Sequence, residues 1–276
     1  MPEGHVIHRL ARILNEEFAG EPVAVSSPQG AFATQAVILD GCVLEQAEAW
    51  GKHLFVEFDA PSLERIVHIH LGLIGIFPVQ PVGEAVAGQV RLQLENERAI
   101  AHLHGPQWCR LISAEERELA VAKLGADPLR GDEAENVGKL ADLDAKVARS
   151  RRSIGSLLMD QKLYAGVGNI YRAEVLFLQG IHPSTRGVDT TQAQRHRIWE
   201  ELRALMGRGE EAGRIDTVRD EHTPEAMGRA PRKDDHGGEV YVYRRAGEPC
   251  LVCSTPIRSE LVEGRNLFWC PTCQAG

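Results

Sequence analysis

Cys250-Leu251-Val252-Cys253 and Cys270-Pro271-Thr272-Cys273 stand 16 residues apart near the C-terminus. Each C-x-x-C pair can place two thiolates on one ion, and the intervening segment can fold back as a hairpin. Four sulfurs close a tetrahedral sphere and leave no open position for a reacting water. The spacing therefore predicts one structural Zn2+ on Cys250, Cys253, Cys270 and Cys273, with an iron–sulfur centre as the lesser alternative. Cys42 and Cys109 stand alone. A chain with no secretion signal is expected to keep its thiols reduced, which favours metal ligation over disulfides. Between the two knuckles lie Arg258 and, at the expected turn tip, Gly264-Arg265-Asn266. An arginine fork on a metal-braced hairpin suits a phosphate; without that brace it reads as a solvated turn residue.

Upstream of the cysteine module, Val240–Arg244 reads as a strand, and residues 208–239 as a charged, Gly/Pro-containing loop without clear period. Before that loop the apolar spacing is helical. Helices are expected over Ile154–Leu163, Asn169–Gln179 and Thr191–Met206, the last capped by a threonine. Ala165-Gly166-Val167-Gly168-Asn169 joins two of them. Its glycines permit a tight turn, and a helix N-terminus beside glycines is suited to binding an anion, although a plain capped turn is the commoner meaning. Residues 125–150, rich in Gly, Asp and Ala, read as a linker.

Residues 21–112 change to short β-like runs broken by Gly and Pro. Strands are expected at Val37–Glu48, Leu54–Phe58, Ile66–Phe77, Val90–Leu94 and Ile100–His104, which together imply a β-sandwich or barrel. His68 and His70 alternate with Val67, Ile69 and Leu71; no third ligand follows at metal spacing, so packed or hydrogen-bonded histidines are expected. Residues 4–18 carry Val6, Ile7, Leu10, Ile13, Leu14 and Phe18 at helical spacing.

The formal net charge of −8 argues against a general nucleic-acid coat protein. The charge is uneven, about −10 over residues 1–148 and +2 over 149–276, where arginine dominates. The second half is thus the candidate nucleic-acid face. Aromatic residues are only 5%, which disfavours a base-stacking platform. No apolar run reaches the length of a membrane span and no signal peptide is evident, so a cytoplasmic protein is expected.

The chain starts Met1-Pro2-Glu3-Gly4. Initiator methionine is commonly removed before proline, which would leave Pro2 as a free secondary amine beside a carboxylic acid. An amine nucleophile next to a proton donor is a minimal kit for covalent chemistry on an electrophilic carbon.

Taken together, Pro2-Glu3, Gly51-Lys52-His53-Leu54, His70-Leu71-Gly72, Gly166–Glu174 and the Gly264–Gln274 hairpin resemble the formamidopyrimidine-DNA glycosylase / endonuclease VIII family in order and spacing, over essentially the whole chain. The opening Met1–Ala11, with His5, His8 and Arg9, looks like the actinobacterial endonuclease VIII branch. The resemblance implies an α+β protein. Its N-terminal β-sandwich with flanking helices would span residues 1–124 and the linker 125–150. A helix–two-turn–helix DNA-binding domain would span 151–239, and a zinc finger 240–276. It implies a monomeric bacterial glycosylase and AP lyase of base excision repair, associated with the nucleoid during repair and acting on DNA with oxidised bases or abasic sites. Pro2, Glu3 and Lys52 would be catalytic, with Asn169, Arg265 and Gln274 on phosphates and Leu73 as the wedge that fills the gap left by a flipped nucleotide. His5 and Val6 stand where the family commonly has Pro and Glu, and the Arg-Phe void-filling loop of the formamidopyrimidine branch is not evident around His102–Cys109. Both departures favour oxidised pyrimidines over 8-oxoguanine or formamidopyrimidine lesions. A DNA-binding zinc-ribbon protein without catalysis is the alternative from a different class.

Overall fold

The computed structural model describes residues 2–83, 88–233 and 238–275, which fall into two compact units, residues 1–123 and 124–276. The division falls between residues 123 and 124, and residues 134–148 of the segment read as a linker form a helix.

The first unit starts with α1 (Gly4–Phe18). Its Ile7, Ala11, Leu14 and Phe18 recur at intervals of four, three and four, and all are buried. Each large side chain so buried is worth about 1.5–3 kcal/mol of transfer free energy, which holds the helix on its sheet. After β1 (Ala24–Ser26) the chain forms α2 (Ala33–Leu39) and then β2 (Leu44–Trp50). The strand expected over Val37–Glu48 therefore starts only at Leu44. Val37 and Ile38 favour a strand by type, but Ala36 and Leu39 are the residues that reach the core, and their spacing of three is helical.

There follow β3 (His53–Phe58), β4 (Glu64–His70), β5 (Val79–Pro81), β6 (Leu92–Glu95), β7 (Ala99–Leu103) and β8 (Trp108–Ser113), then α3 (Ala114–Ala122). Ser113 and Glu116 form a reciprocal capping box that starts α3. Two antiparallel four-stranded sheets result, ordered β1-β6-β7-β5 and β2-β3-β4-β8. Leu54, Val56, Val67 and Ile69 from one sheet, and Leu92, Leu94, Ala101 and Leu103 from the other, share one core with α1. The period of two in each strand supplies that core face, so the sandwich reading holds.

The second unit comprises α4 (Ala134–Ala148), α5 (Ile154–Leu157), α6 (Asn169–Leu178), α7 (Gln192–Ala212), α8 (Pro224–Met227) and the hairpin β9 (Arg258–Val262) with β10 (Arg265–Trp269). Helix α4 occupies the segment read as a linker. Its Leu140, Leu143 and Val147 pack into the unit's core at helical spacing, a narrow stripe hidden in a polar composition. Helix α5 is far shorter than the run expected over Ile154–Leu163, because Asp160 accepts the Lys162 N–H and turns the chain. Of the loop read over 208–239, residues 208–212 belong to α7, residues 224–227 form α8, and 234–237 lie outside the described residues.

Val240–Arg244 is no strand, and the reason is a single carboxylate. Glu174 of α6 is fully buried and accepts the N–H groups of Tyr241 (2.7 Å), Val242 (2.9 Å) and Tyr243 (2.9 Å) and the hydroxyl of Thr217 (2.6 Å). Donors that a sheet neighbour would have taken are consumed by a side chain. Removing that acceptor strands the three backbone donors, each costing about 1–3 kcal/mol, while the Thr217 hydroxyl keeps Glu239 O at 3.4 Å. Glu174→Ala is therefore expected to lower the unfolding free energy by more than about 3 kcal/mol, read from the urea midpoint. A loss below about 1 kcal/mol would show that these donors find other partners.

Candidate functional site

In the first unit three segments come to one end. Asn15 of α1 holds Ala47 of β2 by two bonds, Nδ2 to its carbonyl (2.8 Å) and its N–H to Oδ1 (2.7 Å). Ala19 pairs with Leu44, so falling numbers on α1 accompany rising numbers on β2. From Asn15 to Gly4 the helix rises about 16 Å, and from Ala47 to Lys52 the strand advances about 16 Å. Pro2-Glu3 and Gly51-Lys52 thus share an end. Leu54 opposite Ile69 brings the end of β4, and with it His70–Leu73, to the same place.

Each segment is held for a stated reason. Pro2 is half-buried just before α1, and Glu3 is its fully buried N-terminal flanking residue. A carboxylate there meets the positive end of the helix dipole. Lys52 sits in a two-residue hairpin closed by the pair Trp50 and His53, with Gly51 at φ +59, the conformation such a turn asks of its first residue. Leu73 tips a loop fastened at both sides: Gly75 N–H donates to Leu71 O (3.1 Å), Gly72 N–H to His70 Nδ1 (3.1 Å), and Ile76 pairs with His104. Leu73 and Ile74 are 67% and 83% exposed, a large apolar display on a tied loop.

The sequence reading missed what lies beneath Lys52. On the sheet face opposite the core, His53, Phe55, His68, His70 and Trp108 form one aromatic layer. His53 Nδ1 and His68 Nε2 are 2.8 Å apart and share a proton as a hydrogen bond, which requires the accepting ring to be neutral. Burial first, then His68 and His70, pushes His53 down to about 3; burial first, then Arg110 and His70, pushes His68 down to about 4. Burial and then nearby Lys52 lower His70. The signal was present as i, i+2 pairs in three strands: His53/Phe55, His68/His70 and Trp108/Arg110. Only the register joins them. His68 and His70 are hydrogen-bonded and packed, as expected.

In the second unit, Cys250, Cys253, Cys270 and Cys273 bring their sulfurs within 4.8 Å of one another, the metal-ligand group found among the described residues. Cys250–Cys273 and Cys253–Cys270 sulfur separations are 3.8 and 3.4 Å. A tetrahedron with metal–sulfur bonds of about 2.3 Å has edges of about 3.8 Å, so the donor set fits one Zn2+. The β9–β10 hairpin turns through Glu263 (φ +49) and Gly264 (φ +75), the two positive values of a type I′ turn. Arg265 follows, exposed and without an ion pair among the described residues. Asn169 is the first residue of α6, and Gly168 flanks it. Asn169 Nδ2 donates to Asn266 O (3.0 Å), and Arg172 donates to the same carbonyl (3.1 Å) and to Asn169 Oδ1. The glycine turn is therefore bolted to the zinc hairpin beside Arg265.

Gln274 is a correction. It is 1% exposed, its Oε1 accepts Cys270 N–H (2.9 Å) and its Nε2 donates to Ile181 O (2.9 Å). With both ends spent internally, it ties the second knuckle to the helical core and presents nothing to a phosphate.

Three family models match the chain: the formamidopyrimidine-DNA glycosylase N-terminal domain over residues 1–106, the formamidopyrimidine-DNA glycosylase H2TH domain over 124–220, and a zinc finger found in FPG and IleRS over 247–276. "Endonuclease 8 1" of Mycobacterium tuberculosis H37Rv is 45% identical over 282 residues, covering 99% of this chain and 100% of that protein. "Probable endonuclease 8 2" of Streptomyces coelicolor is 31% identical over 291 residues, covering 100% and 95%. Among solved structures, Lactococcus lactis formamidopyrimidine-DNA glycosylase bound to DNA with an AP site superposes with a TM-score of 0.76 at 21% identity, covering 99% and 100%, a likeness of fold.

The histidine layer and the metal site each predict a measurement. Folded His53 and His68 titrate below the ordinary 6.5, so acid protonates the unfolded chain first. Their contribution is complete above about pH 6.5 and is lost as pH falls toward 4, at up to about 1.4 kcal/mol per pH unit for each ring. The His53→Gln/His68→Gln double variant should show a shallower fall of urea midpoint between pH 6.5 and 4 than wild type; equal slopes would refute neutral burial. Metal analysis should find one zinc per chain, and Cys253→Ser should lose it together with the cooperative unfolding of the hairpin.

Proposed function

Because this chain belongs to the formamidopyrimidine-DNA glycosylase / endonuclease VIII family, whose members are DNA glycosylases with AP lyase activity, we propose that it excises oxidised pyrimidines through a covalent intermediate on Pro2. The observation that carries this is the gathering of Pro2, Glu3 and Lys52 at one end of the first unit, in a chain 45% identical end to end to an endonuclease 8.

In the proposed reaction the active form is the one from which Met1 has been removed. The secondary amine of Pro2 attacks C1′ of the extruded nucleotide, and the base departs with a proton. Glu3 protonates the ring oxygen as the sugar opens, and the nitrogen lone pair forms an iminium ion with C1′. That cation acidifies the C2′ hydrogen; its loss expels the 3′ phosphate, and a second elimination expels the 5′ phosphate. Lys52 supplies a flexible cation for the phosphate or a proton to the departing groups. The neutral histidine layer beneath it adds no competing charge. Leu73 fills the gap in the stack. Arg265 grips the backbone, and Asn169, its side-chain amide bonded to Asn266 O and Arg172, holds the hairpin in place beside it. The Zn2+ held by the four cysteines keeps that hairpin folded and takes no part in chemistry.

Borohydride should trap wild type on abasic-site DNA, and Pro2→Gly should lose most of the adduct. A wild type without adduct would rule out the lyase and leave the non-catalytic DNA-binding alternative. In single turnover, thymine-glycol duplexes should be cut faster than 8-oxoguanine duplexes, and the reverse order would favour the purine-lesion branch. Arg265→Ala should weaken binding to all sequences and reduce the salt slope by about one.

A further inference from the structure

The second unit contains a cavity of about 430 Å3 between α4 and α7, within the range of small-ligand sites. Val137, Leu140, Leu143 and Trp199 provide its apolar lining. Its polar lining includes Tyr164, Asp144 and Arg195. Tyr164 is 98% buried by its 2% exposure, yet its hydroxyl makes no hydrogen bond among the described residues. The hydroxyl is not sealed from solvent; it stays reachable from the cavity, with Arg195 and Asp144 as its charged neighbours.

We propose that this cavity is a binding site for a neutral heteroaromatic lactam, a flat ring carrying an N–H beside a C=O. Charge decides against an ionic ligand. Arg195 Nε holds Asp144 Oδ1 at 2.6 Å and its Nη1 holds Thr190 O at 2.6 Å, so the two charges already neutralise each other. An anion or cation would bring a net charge that this neutral pair does not balance. A lactam brings none: its N–H can donate to a remaining lone pair of Asp144, and its C=O can accept from the Tyr164 hydroxyl or a remaining Arg195 N–H. The apolar lining takes the ring face, as Trp and Leu walls do in ligand sites generally. Free pyrimidine bases and larger bicyclic lactams share this chemistry.

The test titrates the full zinc-loaded chain with quinolin-2(1H)-one and with uracil, followed by amide chemical shifts. Saturable shifts confined to residues 137–144 and 192–199 are expected, and the tighter of the two probes identifies the source of ligand. Tyr164→Phe and the N-methylated quinolinone should each weaken binding about 3- to 10-fold, the worth of one hydrogen bond. Tyr164→Phe removes a hydroxyl without partners, so an unchanged or higher Tm certifies its fold. Ala141→Trp, at an exposed lining position, should abolish the shifts. No saturable shift with either probe, or equal affinity for wild type, Tyr164→Phe and the N-methyl probe, would overturn the proposal and leave an apolar crevice.

Discussion

The second unit depends on one buried carboxylate. Glu174 gathers three successive N–H groups of the segment that leads into the zinc finger, so that segment has one conformation and one place. Four residues earlier on the same helix is Ile170, and at the helix start Asn169, with Arg172, grips a carbonyl of the hairpin. Helix α6 thereby holds the finger at both its root and its tip. A metal alone would fold the finger; only these side chains fix where Arg265 stands relative to the glycine turn. Because the donors at the root have no water to fall back on, the arrangement is all-or-none, which is what a phosphate grip needs from its scaffold.

The first unit solves a different problem. A nucleophile and a proton carrier must meet, although one is on a helix and the other on a strand turn. The two Asn15–Ala47 hydrogen bonds fix the sliding register of α1 against β2, and the matching rises of helix and strand do the rest. The histidine layer itself stays neutral beside Lys52 and Arg110. Neutral, mutually bonded imidazoles supply polar packing without adding positive charge beside a lysine.

Much of this was legible in the chain. The cysteine spacing identified the ligand set, the i, i+4 stripe identified α1, and alternation identified the strands that build the sandwich. The failures have physical causes. Helix α4 was obscured because three buried residues suffice to anchor a helix whose remaining surface is polar. Val37 and Ile38 suggested a strand by their branching, yet burial of Ala36 and Leu39 decided for a helix. Val240–Arg244 has the composition of a strand, and a side chain distant in sequence claimed its donors. Gln274 matched a binding position by order, but its burial shows both ends of its amide in structural use.

Local covalent spacing and periodicity therefore determined the metal site, the element types of the most periodic segments and the identity of some chemical groups: an amine next to a carboxylic acid and an arginine at a hairpin tip. Those properties depend on neighbours within a few residues, which the sequence states outright. The tertiary structure alone decided that Pro2, Lys52 and Leu73 share an end, that His53, His68, His70 and Trp108 form one neutral layer, and that Tyr164 lines a cavity. Each of these is set by strand register or helix packing between segments tens of residues apart. Such pairings are chosen by the summed burial and hydrogen bonding of the whole unit, and no short stretch of sequence encodes that sum.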